Sequence, residues 1–278
     1  MSSLRQTRGM ARERPEERWA ALCICAELGV PVDIHDDGSM PSMHDLDIRY
    51  TNRAPGAVEV TGAGDPLLIE TWKHATGGGR WIVDDLSGGW AVIVAPGTMV
   101  KRLRAGLPEL LRTLESEGIK QSMPETWWEP GPRDEEARAL GILHLFQGGT
   151  DFPGSVYVTV DPGLERSGGA VPTEGRPLLD WLAEWLARPD QAHNLEKLAA
   201  SGADERHLFV ILPGFAEAPF AVTDLLMREG APLPDEDPAL PAEITHVWAA
   251  SMWTGGTGMR WAPGTGWARF DKRLSDRP

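Results

Sequence analysis

Residues 44–61 read HDLDIRYTNRAPGAVEVT, and the acids in this stretch are spaced for metal chemistry. In an extended chain alternate side chains share a face. Asp45 and Asp47 therefore point one way and Leu46 and Ile48 the other, while Glu59 and Thr61 oppose Val58 and Val60. The intervening Asn-Arg-Ala-Pro-Gly has the composition of a turn. Two adjacent antiparallel strands would set Asp45 across from Glu59, within the few ångströms over which two carboxylates grip a hard divalent cation. Carboxylates that close repel unless one is protonated or both are metal-bound. A hairpin with a polar outer face has the same pattern, and the spacing leaves both readings open.

Other chemistries find less support. Gly62 and Gly64 stand between a strand and a helix, but Leu67 takes the place of a third glycine, so VTGAGDPLL reads as a turn. There is no phosphate-binding P-loop and no Gly-x-Ser-x-Gly elbow. The seven histidines (His35, His44, His74, His144, His193, His207, His246) show no His-Glu-x-x-His spacing. Glu205, Arg206 and His207 at a strand start fit a structural ion pair. Cys23 and Cys25, two apart on a helix, face away from each other and read as buried small apolar groups. Trp248, Trp253, Trp261 and Trp267, with Arg260 and Arg269 between them, could stack on bases or pack a tryptophan-rich sheet, and packing needs no ligand.

The elements that must position these residues follow from hydrophobic period and punctuation. Residues 15–28 predict a helix opened by Pro15 and closed by Gly29, apolar on most of its circumference and so buried on more than one side. VPVDI predicts a short strand before the loop HDDGSMPS, with further strands over 43–51 and 57–61. Asp65 and Pro66 start a helix, and RWIVDDLSGGWAVIVA reads as a hairpin around Ser-Gly-Gly. The next helix breaks at Pro108, and residues 120–138 form a loop or linker. Strands ALGILHLF and SVYVTV precede the helix GRPLLDWLAEWLA. A helix capped by Asp190, DQAHNLEKLAASG, then runs into the strand RHLFVIL, a proline-rich loop near 230–241, and the strand-like ITHVWAASMW and MRWAPGTGWARF. Helices and strands mixed without strict alternation predict an α/β class with a mixed sheet.

The chain has 278 residues, is 41% hydrophobic and 24% charged, and carries a net charge of −14. No segment is apolar enough to predict a membrane span, and the N-terminus lacks the apolar core of a secretory signal, so a soluble cytoplasmic protein with a disordered tail over 1–14 is expected. The acidic balance argues against broad attraction to nucleic acid but permits a local basic groove. Arg5, Arg8, Arg12, Arg14 and Arg18 form one basic knot and Lys101, Arg102 and Arg104 another, and a solvated face explains either as well.

A helix carrying Glu17, a strand starting near Asp45 and a neighbouring strand with Glu59 together resemble the PD-(D/E)XK nuclease superfamily over residues 15–75. The resemblance implies a mixed sheet flanked by helices in a restriction-endonuclease-like core, with residues 77–175 as a long insertion in a single domain over 15–278. It implies catalytic roles for Asp45, Glu59 and Glu17, with Mg²⁺ or Mn²⁺ held by Asp45 and Glu59 and DNA or RNA as substrate. His44 replaces the family's proline, and Thr61 replaces its lysine. That lysine must then come from a neighbouring element, with Lys73 and Lys197 as candidates, and Lys197 completes the expected catalytic set. A catalytically silent relative of the same fold, binding a protein or nucleic-acid partner, is the alternative that Thr61 keeps open.

Overall fold

Proline at the first helical position and a left-handed glycine at the end set the bounds of α1 (Pro15–Leu28), whose cap Gly29 has φ 66° and donates its N–H to the Cys25 carbonyl. The structure, a computed structural model, describes residues 14–77, 79, 81–123 and 131–276. After α1 come β1 (Val32–Ile34), β2 (Leu46–Ile48), β3 (Gly56–Gly62), α2 (Pro66–Thr76), β4 (Trp81–Ile82), β5 (Trp90–Val94) and α3 (Val100–Ser116). Then follow β6 (Gln121–Ser122), α4 (Asp134–Ala139), β7 (Ile142–Gln147), β8 (Ser155–Val160), α5 (Leu164–Ser167), α6 (Arg176–Leu186) and α7 (Ala192–Ala200). The chain finishes with β9 (Arg206–Leu212), α8 (Phe220–Met227), β10 (His246–Ser251), β11 (Gly258–Ala262) and β12 (Gly266–Phe270).

These elements form two compact units, one of residues up to Gly64 together with Leu164 onward, the other Asp65–Gly163. The first unit is built on a seven-stranded mixed sheet in the order β1-β2-β3-β9-β10-β11-β12. β2 is antiparallel to its neighbours β1 and β3, β9 runs parallel to both β3 and β10, and β11 is antiparallel to its neighbours β10 and β12. Alternation along β3 and β9 divides the core. Val58, Val60, Phe209 and Ile211 pack with Trp19, Ala20, Cys23 and Ile24 of α1, whereas Leu208, Val210 and Leu212 pack with α6, α7 and α8 through residues such as Leu182, Leu198 and Leu225. This is the α/β class with a mixed sheet flanked by helices that the residue pattern predicts.

The second unit has a five-stranded sheet in the order β4-β8-β5-β7-β6, with β5 and β8 parallel and the other pairs antiparallel. Leu103, Leu107, Leu110, Leu111 and Leu114 of α3 are buried on one face of that helix.

Several expectations are corrected. The inserted unit spans 65–163 rather than 77–175, because α2 packs on β8 and α3, while α5 packs on α8 of the other unit. Arg14 is the N-cap of α1, with ordered contacts, and not part of a tail; residues 1–13, including Arg5, Arg8 and Arg12, lie outside the described residues. The helix α1 buries only one side, and Cys25 is exposed although Cys23 is buried. The 43–51 strand shrinks to Leu46–Ile48. β4 and β5 do not form a hairpin, because the loop 83–89 is long enough for β8 to insert between them. Pro108 lies inside a continuous α3: five buried leucines at roughly 2 kcal/mol each outweigh the ~3 kcal/mol cost of an internal proline. β6 and α4 occupy part of the expected 120–138 linker, of which 124–130 lie outside the described residues. Asp190 sits in a 3₁₀ turn, where it accepts from Arg188 and does not cap α7. The helix α8 falls where the sequence pattern gives no element.

Candidate functional site

β2 and β3 bring the two central acids together. The antiparallel register pairs Leu46 with Val58, so Asp45, one residue before β2, lies level with Glu59. Both side chains are buried, at 0% and 2% relative exposure. The Val60 N–H donates to Asp45 Oδ2 at 2.7 Å, which fixes that carboxylate against β3.

A lysine reaches this pair from α7. Lys197 Nζ donates to Glu59 Oε1 at 2.7 Å and stands 3.8 Å from Asp45 Oδ1. The helix is aligned along β3 by a second contact one turn earlier, where Asn194 Nδ2 donates to Thr61 Oγ1 at 3.2 Å. One helical turn advances about 5.4 Å and two strand residues about 6.7 Å, so Asn194 and Lys197 meet Thr61 and Glu59 in step. Thr61 thus occupies the face where a strand lysine would stand, and the ammonium arrives from the facing helix instead. Lys73, the other candidate, is exposed on α2 of the second unit.

Glu17 enters through a residue that sequence reasoning left in the tail. Arg14 at the N-cap donates its backbone N–H to Glu17 Oε2 at 3.2 Å and its guanidinium to Glu17 Oε1, and Nη2 also reaches Asp45 Oδ1 at 2.6 Å. Glu17, Arg14, Asp45, Lys197 and Glu59 therefore form one connected set of charges. The signal that could have found Arg14 was its place three residues before Glu17, the spacing at which a glutamate in the first helical turn accepts from the N-cap N–H.

The electrostatics are unbalanced at one atom. Glu59 Oε2 is buried and has no hydrogen-bond partner among the described residues. Burial first, and the charge of Asp45 second, push the Glu59 carboxyl up to about 8, against the pull of Lys197 and Arg14. Burial acts to lower the Lys197 ammonium, but its bond to Glu59 and the charges of both acids outweigh that and hold it above its ordinary value. Lys197 is therefore a fixed cation and not a base at neutral pH. A carboxyl driven to keep its proton, beside a second carboxylate, fits a cation that would take the proton's place.

The remaining candidates are mainly structural. Trp248 is buried against Phe209 and Phe270, Trp261 donates to Asp237 Oδ1, Trp267 donates to the Glu236 carbonyl, and Trp253 is exposed. Arg206 donates to the carbonyls of Ala203, Ala242 and Glu243, while Glu205 is held by Tyr50 and Arg53. No described helix is long and apolar enough to cross a membrane. No family model, curated protein or solved structure matches the chain.

Proposed function

We propose that the first unit is a metal-dependent phosphodiesterase acting on DNA or RNA, with Asp45 and Glu59 holding Mg²⁺ or Mn²⁺ and Lys197 as the catalytic lysine. The observation that carries this reading is the convergence of Lys197 Nζ on both acids from a helix facing Thr61. The PD-(D/E)XK likeness supports it in the order of parts: a helix with Glu17, a strand led by Asp45, a paired strand with Glu59, then a helix and a strand, β9, parallel to β3. When bound, the cation supplies charge against the scissile phosphate and a water of lowered pKa.

The chain's own residues do the rest. Glu59 keeps one oxygen on Lys197 and offers Oε2, while Asp45, fixed by the Val60 N–H, offers Oδ1. Lys197, protonated throughout, orients a phosphate oxygen or the attacking water and offsets the negative charge of the transition state. Arg14, with its side chain 55% exposed, exchanges Asp45 for a second phosphate oxygen. With a net charge of −14, affinity for nucleic acid rests on this local cluster and not on a general basic surface. The unpaired thiols Cys23 and Cys25 fit a reducing, cytoplasmic setting.

The test uses isosteric changes. Asp45→Ala would leave the buried Val60 N–H without an acceptor, a loss of about 1–3 kcal/mol, whereas Asp45→Asn retains one. Wild type is expected to cleave single- or double-stranded DNA or RNA with Mg²⁺ or Mn²⁺. Asp45→Asn and Glu59→Gln should lose both cleavage and calorimetrically measured Mn²⁺ binding while keeping their melting temperature. Equal Mn²⁺ binding by wild type and both variants, or none by wild type, would leave the charge cluster a structural device, as in the silent-fold alternative.

A further inference from the structure

A second group of potential ligands lies on the same β1–β2 pair, with a donor set of different character. His35 follows β1, and His44 and Asp47 flank Asp45 at the start of β2. His44 Nε2 lies 2.8 Å from Asp47 Oδ1, and His35 Nδ1 lies 3.0 Å from Asp47 Oδ2. One atom from each of the three residues falls within 4.8 Å of the others. The backbone beneath is fixed: Ile34 pairs with Leu46 and Asp33 with Asp47, and the His35 and Asp36 N–H groups both donate to the Asp45 carbonyl. His44 and Asp47 are buried, and His35, a third exposed on its side chain, opens the group to solvent.

We propose that His35, His44 and Asp47 bind a transition-metal dication of the Zn²⁺, Co²⁺ or Ni²⁺ kind, separately from the cation held by Asp45 and Glu59. Two imidazole nitrogens and one carboxylate oxygen suit a borderline-soft ion, whereas Asp45 and Glu59 offer only oxygen and suit a hard one. This inference stands apart from the nuclease reading.

The chemistry asks for two small changes. Each histidine nitrogen facing Asp47 gives up its proton to the ring's other nitrogen, a tautomer shift that leaves the ring neutral. The rings stack at 3.9 Å with planes 9° apart, and one ion cannot lie in both planes, so His35, the more exposed ring, tilts. Arg49 Nη2, 3.1 Å from Asp47 Oδ2, turns to Asp33, which its Nε already meets at 3.1 Å.

The other His-His-carboxylate group among the described residues fails the same test. In Glu205, His207 and His246, the Trp248 indole N–H donates to His207 Nδ1 at 3.1 Å. An indole nitrogen only donates, so Nδ1 must accept and the neutral ring carries its proton on Nε2. His207 then has no lone pair facing Glu205 and His246.

A metal at His35, His44 and Asp47 would close the 36–43 loop into a clip next to Asp45. The experiment titrates Zn²⁺ into the metal-stripped full chain by calorimetry and follows Co²⁺ by its visible ligand-field bands. Wild type and the Asp45→Asn/Glu59→Gln double variant should bind one ion with the same affinity. His35→Ala and His44→Gln should weaken it by about tenfold or more and lose the Co²⁺ bands. Should His44→Gln fail to fold, His35→Ala, at the half-buried ring, decides. No Zn²⁺ binding by wild type, unchanged binding by His35→Ala, or loss in the double variant would overturn the proposal; loss of Mn²⁺ binding alone bears only on the nuclease reading.

Discussion

Lys197 favours the ionised form of Glu59 while burial and Asp45 oppose it, so the three residues cannot be altered independently. Truncating Lys197 leaves the buried Glu59 carboxyl without its nearest cation, while Asp45 keeps Arg14. Breaking a buried pair in this way costs about 3–5 kcal/mol, while Glu59→Gln keeps an acceptor for Lys197 and removes the repulsion with Asp45. Lys197→Met is therefore expected to lower the urea midpoint sharply and Glu59→Gln to leave it unchanged or raise it. The double variant should recover much of the loss, a coupling of roughly 1–3 kcal/mol by a double-mutant cycle. Additive effects of the two changes would show that the pair contributes no net energy.

Among the elements, α7 and β3 form the working unit. Asn194 and Lys197, one turn apart, track Thr61 and Glu59, two strand residues apart, so a lysine at position 61 would start from the same face as Lys197. Thr61 is only partly buried, which leaves room for a longer chain. Under the proposed nuclease function, Lys197→Met/Thr61→Lys should therefore regain part of the Mg²⁺-dependent cleavage expected to be lost in Lys197→Met, with kcat recovering before KM. A swap variant no more active than Lys197→Met, yet equally well folded by circular dichroism, would mean that the ammonium must come from the helix side. At the opening of α2, Asp65 accepts from the N–H groups of Leu67 and Leu68, and Asp65→Ala should cost about 1 kcal/mol in thermal unfolding with no effect on the cation binding proposed for Asp45.

At the scale of the molecule, the first unit's sheet carries an acid-sensitive seam beside its core. Burial first, then the neighbouring His207, lower His246 to about 4, against an ordinary value near 6.5. The neighbouring His207 first, 3.5 Å away, and then Tyr50 and Arg53 against the effect of burial, hold Glu205 down to about 2. Arg260 adds a further positive charge facing the histidines. Between pH 6.5 and 4 the unfolded chain takes up a proton that folded His246 refuses, so the stability from a neutral His246 is complete above pH 6.5 and lost as pH falls to 4. Glu205 adds a loss below about pH 4.5 in the same direction. The melting temperature should fall from pH 7 to pH 4, and His246→Gln should flatten the upper part of that decline. An unchanged pH profile in His246→Gln would remove His246 from the cause.

Local signals were enough for much of the scaffold. Pro15 and Gly29 bound α1, Asp65 and Pro66 start α2, and the alternation of Leu46, Ile48, Val58 and Val60 sets the core face of β2 and β3, and so the face of Asp45 and Glu59. These follow from backbone sterics, capping and the two-residue period of a strand, which act over a few neighbours. What no local pattern contains is which distant segment lies alongside. Tertiary packing alone placed β8 between β4 and β5, carried α3 through Pro108 by the burial of its leucines, turned Arg14 from the chain's end onto Asp45, and laid α7 along β3 so that Lys197 meets Glu59. Each was decided by burying apolar surface and neutralising buried charge across long stretches of chain, energies that exist only once the chain has closed on itself.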